Sequence, residues 1–450
     1  MNFTDIFLDG IQQLVDNEVP DRILMHTKDC FIDYLGCVMA GSKVVNKKED
    51  ILRKSFYSDA GQAFVFGSKQ SSSVLVAALM NGISAHSIEL DDGHRYAMMH
   101  PGSPVFSALV AINEDVKLSS YDFLKAAVVG YEVAIRLACA VQPSNKLRGY
   151  HATGTCGTVG VAMAIATALH FDREQMKSAF SAATTSAAGL LEMIEGDSEM
   201  KPYNIGRAAM DGIMAAMVGR ARFKAPKDAL GGKRGFLNVM TDKPNMKYIT
   251  DFDASHYAIE GIYRKSYAAC RHLHPAIESA LCISKLDGFD SRNVESILVD
   301  TYHLAVFGHD HQTINGVNSA KMSIPYSVAV SLVKGSANMD DFSDKAITDS
   351  EVLTLAKKVI VSDNDQLTSL CPAKRVSIVH VTMNNGTVYS HRIEFPKGEP
   401  ENPLVDKELQ QKFYSLAMSS GLSRERCSTI LELVYHSDFN VNDLLALCIN

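Results

Sequence analysis

The residues most able to do chemistry lie in one short stretch of the chain, HSIELDDGHRYAMMH at positions 86–100. It holds three histidines, three carboxylates and one arginine, and it follows the apolar segment VLVAALMNGISA at 74–85. Titratable groups clustered beside apolar surface are typical of sites that move protons or bind charged ligands. We therefore predict that this stretch forms one wall of an active site.

The spacing of the residues in this stretch predicts which side chains share a face of a helix. His86 and Glu89 are three residues apart and would share a helix face, whereas Asp91 and Asp92 would point to different sides. The alternative interpretation is structural: the two aspartates cap loops and pair with Arg95. We expect Asp91, Asp92 and the nearby histidine at position 94 to support and shape the loop.

His100 stands at the far end of the stretch, just before a predicted helix that starts at Ser103. Ser103 followed by Pro104 is a helix-start signal. The free N–H groups of such a start suit a carboxylate ligand, and His100 would lie beside them.

Histidine and lysine recur in three later motifs. His151 lies in GYHATGTCGTVG, where a loop enters a helix, and a structural histidine is the alternative there. Lys201 precedes a predicted helix capped by Asn204, so that an ammonium and a helix N-terminus could meet one anion, although most lysines are solvated surface residues. The motif RKSYAACRHLHP gathers Lys265, Cys270, Arg271, His272 and His274.

Two competing site types are a poor match to these motifs. The glycines of GTCGTVG fall at intervals of three, without a Walker lysine or a preceding strand, so close helix packing explains them better than a phosphate loop. Histidines and carboxylates could bind a metal, but no HExxH or paired-cysteine pattern is present. We predict no metal.

The elements that must position these residues are mostly helices. Apolar residues recur with helical period to about position 262, as in PDRILMHTKDCFIDYLGCVMAG and TVGVAMAIATALHF. After position 290 the segments 294–304, 375–383 and 388–395 are β-branched, and an Asn-Asn-Gly hairpin turn separates the last two. Helices are predicted between them from SIPYSVAVSLVKG and SEVLTLAKKVIV, and again after the turn-rich segment PKGEPENPL.

Mainly α structure is therefore predicted: a large all-helical domain, residues 1–263, completed by the C-terminal helices 400–450, plus a smaller α+β lid domain, residues 264–399. A chain of 450 residues is long enough to bury a large core and to divide into more than one domain.

Composition limits the partners. The formal net charge is -7, which argues against a nucleic-acid partner, and no apolar segment predicts a membrane span. Nine cysteines without a CxxC pair fit reduced thiols, and the acidic N-terminal segment is unlike a signal peptide. We expect a cytoplasmic protein.

The ordered motifs resemble the MmgE/PrpD family, whose members dehydrate, decarboxylate or epimerise small polycarboxylates such as 2-methylcitrate, cis-aconitate and iminodisuccinate. The resemblance rests on six segments, which are HSIELDDGHRYAMMHPGSP, GYHATGTCGTVGVAMAIA, MKPYNIGRAAMDG, YAACRHLHPAIESA, KMSIPYSVAVSLVKG and PKGEPENPL. It implies a helical domain, an α+β lid, a cleft between them, a homodimer and no cofactor.

The resemblance also assigns site residues. In the decarboxylase branch, an aspartate and a histidine of the acidic loop fall on Glu89 and His100, and a second histidine falls on His151. Two lysines fall on Lys201 and Lys265, and a tyrosine falls on Tyr326. The branch's third histidine falls on Cys270, so the chain departs from that pattern there and at Glu89.

The reactions of this family pass through a carbanion-like centre beside a carboxylate. Such a centre needs a base to move the C–H proton and nearby cations to stabilise the developing negative charge. His100 and His151 are the candidate acid and base, Lys201, Lys265 and Arg271 the candidate cations, and Tyr326 a candidate proton donor. Dehydration of a citrate-like hydroxy acid is the first hypothesis. Decarboxylation or isomerisation of a related acid is the second, and a noncatalytic small-acid binding protein is the third.

Overall fold

The computed structural model describes residues 2–56, 61–253, 255–436 and 438–449. The predicted mainly α fold is confirmed. The first part of the chain forms helices α1 (Phe3–Asp16), α2 (Asp21–Ser55), α3 (Val74–His86), α4 (Gly102–Val116), α5 (Ser120–Val141), α6 (Ser144–Leu147), α7 (Ala152–Ala168), α8 (Arg173–Ser186), α9 (Met200–Arg220), α10 (Phe236–Met240) and α11 (Lys247–Thr250). These helices, together with the C-terminal ones given below, are called the helical part.

Small residues let the central helices of the helical part approach closely. Helix α7, drawn from the long apolar segment, is buried along its whole length and packs against α5 and α9. A Cβ atom added at Gly160 of α7 would lie 2.6 Å from the carbonyl oxygen of Gly130 in α5. Glycine is therefore needed where these two backbones meet.

Residues 264–396, called the α+β part, supply a small sheet. Its elements are α12 (His274–Ser284), β3 (Val294–Thr301), α13 (His303–Val306), α14 (Val317–Lys321), α15 (Ile324–Lys334), α16 (Ser350–Ala356), β4 (Val359–Asp363), α17 (Asp365–Leu370), β5 (Ser377–Met383) and β6 (Val388–Ile393). A separate two-residue antiparallel ladder pairs β1 (Gly93–His94) with β2 (Ile262–Tyr263). It connects the acidic stretch to the segment just before the α+β part.

The sheet has the order β4-β3-β5-β6, with β3 and β4 parallel and the other pairs antiparallel. The predicted hairpin between β5 and β6 is confirmed, and Gly386 takes a positive φ of 83° in its turn. Buried and half-buried residues alternate along β5, because one face of the sheet packs against α12.

One predicted helix is wrong in its second half. The segment SEVLTLAKKVIV was predicted to be helical throughout, but α16 ends at Ala356 and Val359 begins strand β4. The β-branched residues Val359, Ile360 and Val361 pair with β3, so their tertiary contacts decide the structure of a segment too short to form a stable helix alone.

The last helices, α18 (Asp406–Ser419), α19 (Arg424–Tyr435) and α20 (Val441–Leu447), return to the helical part. Lys412 of α18 binds Asp33 of α2 at 2.6 Å. Buried apolar side chains form two clusters, one in the helical part and one centred on the α+β part. The boundaries at residues 263 and 399 stay a prediction. Within the described residues, no helix has the length and apolarity of a membrane span.

Candidate active site

A cavity of about 80 Å³ is lined from both the helical part and the α+β part. It collects residues that are far apart in the sequence, because their segments end or begin at this one place. Six of the predicted site residues line it, namely His100, His151, Lys201, Cys270, Arg271 and His272.

His151 is held by a single side-chain hydrogen bond. It is the residue before α7, and its Nδ1 lies 2.8 Å from Oδ1 of Asn204 in α9. An amide oxygen only accepts, so Nδ1 carries the hydrogen and Nε2 is left with a lone pair. Burial lowers the pKa of His151 to about 3, although the Asn204 bond opposes this. His151 is therefore a neutral, oriented base.

His100 is fixed in a similar way by backbone groups. Its Nδ1 donates to the carbonyl oxygen of Asp92 at 2.6 Å, and its backbone N–H donates to the Thr153 hydroxyl at 3.0 Å. Burial and the Lys265 ammonium hold the pKa of His100 well below its usual range. Its Nε2 is therefore unprotonated, and His100, like His151, lines the cavity.

Glu89 joins the two lysines that the resemblance assigns to the site. Lys201 and Lys265 each bind one of its carboxylate oxygens, the latter at 2.9 Å. Burial alone would raise the pKa of Glu89, but the two ammonium groups hold it well below the usual range. Glu89 and Lys265 do not line the cavity themselves, but Glu89 binds the lining residue Lys201 and Lys265 lowers the pKa of the lining residue His100.

His86 and Asp91 continue this charge network. His86 lies 2.8 Å from Asp91 through Nδ1 and 3.1 Å from Glu89 through Nε2. Burial lowers the pKa of His86, but the two carboxylates outweigh it and raise the pKa above its usual value. Asp91 also accepts a hydrogen bond from Ser103 at 2.7 Å.

The structural interpretation of the acidic stretch needs one correction. Arg95 does not pair with Asp91 or Asp92, because it binds Glu399 and Glu401. Asp92 instead accepts the backbone N–H of Gly102 at 3.1 Å and occupies the start of α4, which was predicted to bind a ligand carboxylate.

The predicted helix start at Asn204 is also wrong. Helix α9 begins at Met200, so Lys201 lies in its first turn and Asn204 lies inside the helix. Proline at 202 is tolerated there, because first-turn N–H groups have no intrahelical acceptor. Asn204 is thereby free to orient His151.

Cys270 and His309 form a pair that the sequence did not indicate. Sγ of Cys270 lies 3.7 Å from Nε2 of His309, whose Nδ1 donates to the Met322 carbonyl at 2.8 Å. Burial opposes ionisation of the thiol, but His309 outweighs it and lowers the pKa of Cys270 to about 6. Both residues line the cavity.

The structure does not bring Tyr326 or His274 to the cavity. The Tyr326 hydroxyl donates to the carbonyl oxygen of Asp341 at 2.8 Å, in the core of the α+β part. His274 contacts Arg271 at 2.8 Å and the Ala269 carbonyl at 3.1 Å. Both side chains therefore hold neighbouring parts of the chain in place, and neither lines the cavity.

One group of described residues has the spacing of metal ligands, namely His86, Glu89 and His100. Its donors do not fit a cation, because two ammonium groups bind the Glu89 carboxylate and Asp91 holds His86 with a raised pKa. A metal ligand must be an unprotonated base. The Glu89 carboxylate is thus already neutralised by two ammonium groups.

Several lining residues escaped the sequence analysis, among them Lys146, Tyr263, His309 and Arg375. Lys146 lies five residues before His151, and Arg375 opens the segment of β5, so both adjoin segments that were singled out. No pattern of spacing distinguishes them from surface residues, since only the fold turns them inward.

Gly154 and Gly157 provide a matched test of the His151 support. A Cβ atom at Gly154 would lie 2.2 Å from Oδ1 of Asn204, whereas one at Gly157 meets nothing closer than 3.6 Å. We expect Gly154→Ala to displace Asn204 and lower kcat at least tenfold. Gly157→Ala should keep kcat and stabilise helix α7 by up to about 1 kcal/mol. Steady-state kinetics and urea unfolding check both, and equal behaviour of the two variants would contradict the assignment.

The structure is therefore that of a mainly α protein with a cavity lined by histidine, lysine and arginine side chains. Comparison with family models identifies it further: residues 9–249 match the MmgE/PrpD N-terminal domain, and residues 267–437 match the MmgE/PrpD C-terminal domain. The chain belongs to the MmgE/PrpD family.

The sequence identity to individual relatives is low. A cis-aconitate decarboxylase-like protein of Aspergillus oryzae is 27% identical over 99% of this chain and 97% of its own length. A cis-aconitate decarboxylase of Aspergillus terreus is 26% identical over 94% of this chain and 91% of its own length. A mitochondrial 2-methylcitrate dehydratase of Yarrowia lipolytica is 24% identical over 51% of this chain and 46% of its own length.

These relatives carry the names of enzymes of two reaction types, so membership alone leaves the reaction open. The homodimer, the absence of a cofactor and the cytoplasmic location stay predictions.

Proposed function

We propose that the chain is a lyase of small polycarboxylates in which His100 and His151 move a proton at the carbon beside a carboxylate. One observation carries the proposal. Both imidazoles are neutral, both are held through Nδ1, and both line a cavity that is also lined by Lys201. A positioned base next to a cation is what a carbanion-like transition state requires.

The named relatives favour decarboxylation of an acid like cis-aconitate within this class. In that reaction the bond to one carboxyl carbon breaks and CO₂ leaves. The electron pair stays on the substrate, where the neighbouring conjugated carboxylate and Lys201 stabilise it, and a proton from a cavity residue then completes the new C–H bond. Binding of the anion raises the pKa of the histidines, so one of them can supply that proton.

Cys270 beside His309 is a further group able to carry a proton in the cavity. It occupies the position of the third histidine in the decarboxylase branch, so the pair of residues would do together what one histidine does there. Dehydration of a citrate-like hydroxy acid is the second candidate, supported by the dehydratase that matches half of the chain.

Product analysis separates the candidates. The purified protein is incubated in turn with cis-aconitate, citrate, 2-methylcitrate and iminodisuccinate, and proton NMR follows the products. We expect loss of CO₂ from cis-aconitate. Loss of water from either citrate would instead support the hydro-lyase, and epimerisation of iminodisuccinate the isomerase. No turnover, with tricarboxylate binding unchanged in His151→Ala, would contradict catalysis and favour the binding protein.

A further inference from the structure

Two cations at the cavity, Lys146 and Arg375, lack a carboxylate partner among the described residues. The other cations around the site have one, since Lys201 binds Glu89 and Arg271 binds Glu399. Among the described residues, the Lys146 ammonium has one hydrogen-bond partner, which is the neutral imidazole of His272. The Arg375 guanidinium donates to one backbone carbonyl and lies 5.8 Å from the centre of the Tyr263 ring. The cavity therefore holds positive charge that no carboxylate of the described residues neutralises.

Arg375 is the more costly of the two to leave unpaired. Its side chain is 3% exposed, its Nη2 donates to the carbonyl oxygen of Arg95 at 2.9 Å, and its buried Nε has no partner. The nearby acid Glu399 is engaged by Arg95 and Arg271. A buried charge without a counter-ion is unfavourable in a folded protein, so an arginine in this state is suited to an anion that comes from solution.

Lys146 approaches the same cavity from the helical part. Its Nζ lies 3.0 Å from Nε2 of His272, and Nδ1 of that ring lies 2.7 Å from the Tyr302 hydroxyl. Burial and the Lys146 ammonium hold the pKa of His272 well below its usual range. His272 is thus a neutral acceptor that positions the ammonium and leaves its charge uncompensated.

We propose that Lys146 and Arg375 form a second anion subsite, which binds the substrate carboxylate farthest from the carbon on which His100 and His151 act. This inference rests on the proposed function, in that the ligand is a polycarboxylate. A guanidinium binds a carboxylate through two parallel hydrogen bonds, and an ammonium adds a point charge. Because the two cations come from different parts of the chain, a carboxylate between them would join those parts. The subsite would select tricarboxylates over dicarboxylates.

Calorimetric titration of the full-length protein with tricarballylate and methylsuccinate tests the subsite. Both are saturated acids, and methylsuccinate is tricarballylate with one terminal carboxylate replaced by hydrogen. We expect the wild-type protein to bind tricarballylate at least tenfold more tightly. Lys146→Met and Arg375→Met should each lose most of this preference while keeping their affinity for methylsuccinate. Arg375→Lys, which keeps the charge without the paired hydrogen bonds, should retain part of it. Arg234→Met, at an exposed position, serves as the control and should behave as wild type.

Thermal unfolding of the unliganded variants separates binding from structural support. Removal of a cation that has no carboxylate partner should leave the melting temperature unchanged or raise it. If both methionine variants melt lower and keep the wild-type preference, the two residues are structural and the subsite is wrong, while the proposed function stands. If the wild-type protein binds neither acid, the proposed function fails and the subsite fails with it.

Discussion

Replacement of His151 by alanine should lower kcat by about 10²- to 10⁴-fold, which is the usual contribution of a positioned acid or base. The fold should survive, because the ring has one side-chain partner, Asn204, and sits at the edge of a cavity. Steady-state kinetics on the substrate found by product analysis measures the effect. His256→Gln removes a histidine that is 82% exposed and should leave kcat unchanged.

Asn204 offers a finer test of the same base. Asn204→Leu removes the acceptor of the His151 Nδ1 hydrogen, so kcat should fall while substrate affinity changes little. Asn204→Asp keeps an acceptor and adds a negative charge, which raises the pKa of His151. The limb of the pH profile of kcat/KM that reports His151 should then move to higher pH, whether the residue acts as a base or as an acid. A profile with no shifted limb in Asn204→Asp would show that neither limb reports His151.

Helical period was sufficient to predict most of the helical part, because its segments are long and their apolar residues repeat at the right interval. Helix α7 is an exception, since its seventeen residues are buried on all sides and only the length of its apolar segment predicts a helix. Strand β4 could not be predicted in the same way. Its five residues become a strand only because β3 lies beside them.

The residues of the candidate site also differ in whether the sequence alone could identify them. His100, His151 and Lys201 stand in motifs whose order resembles a family, so the sequence could identify them. Lys146 and Arg375 belong to no such motif, and only the folded chain places them at the cavity. Tyr326 shows the reverse error, since a residue of the matching type packs away from the cavity.

Glu89 should also stabilise the folded protein, because it is the buried partner of two ammonium groups. Glu89→Gln keeps the shape of the side chain but leaves Lys201 and Lys265 with less negative charge nearby. Breaking one side of a buried ion pair costs about 3–5 kcal/mol of folding free energy. We expect a loss of this size at pH 7, measured by urea unfolding as a lower midpoint with an unchanged slope.

Glu49→Gln is the matched control, because Glu49 is also buried but forms no ion pair with any described residue. It accepts a hydrogen bond from Ser84 at 2.6 Å, which a glutamine can also accept, and burial raises its pKa to about 8. The two variants should respond to pH with opposite sign. The pKa of Glu89 is lowered in the folded protein, so its stabilisation is present above about pH 4.5 and is lost as the pH falls. The pKa of Glu49 is raised, so the wild-type protein loses stability relative to Glu49→Gln as the pH rises from about 4.5 to 8. Parallel pH dependence of the two variants would contradict the assignment of Glu89 as the charged partner of Lys201 and Lys265.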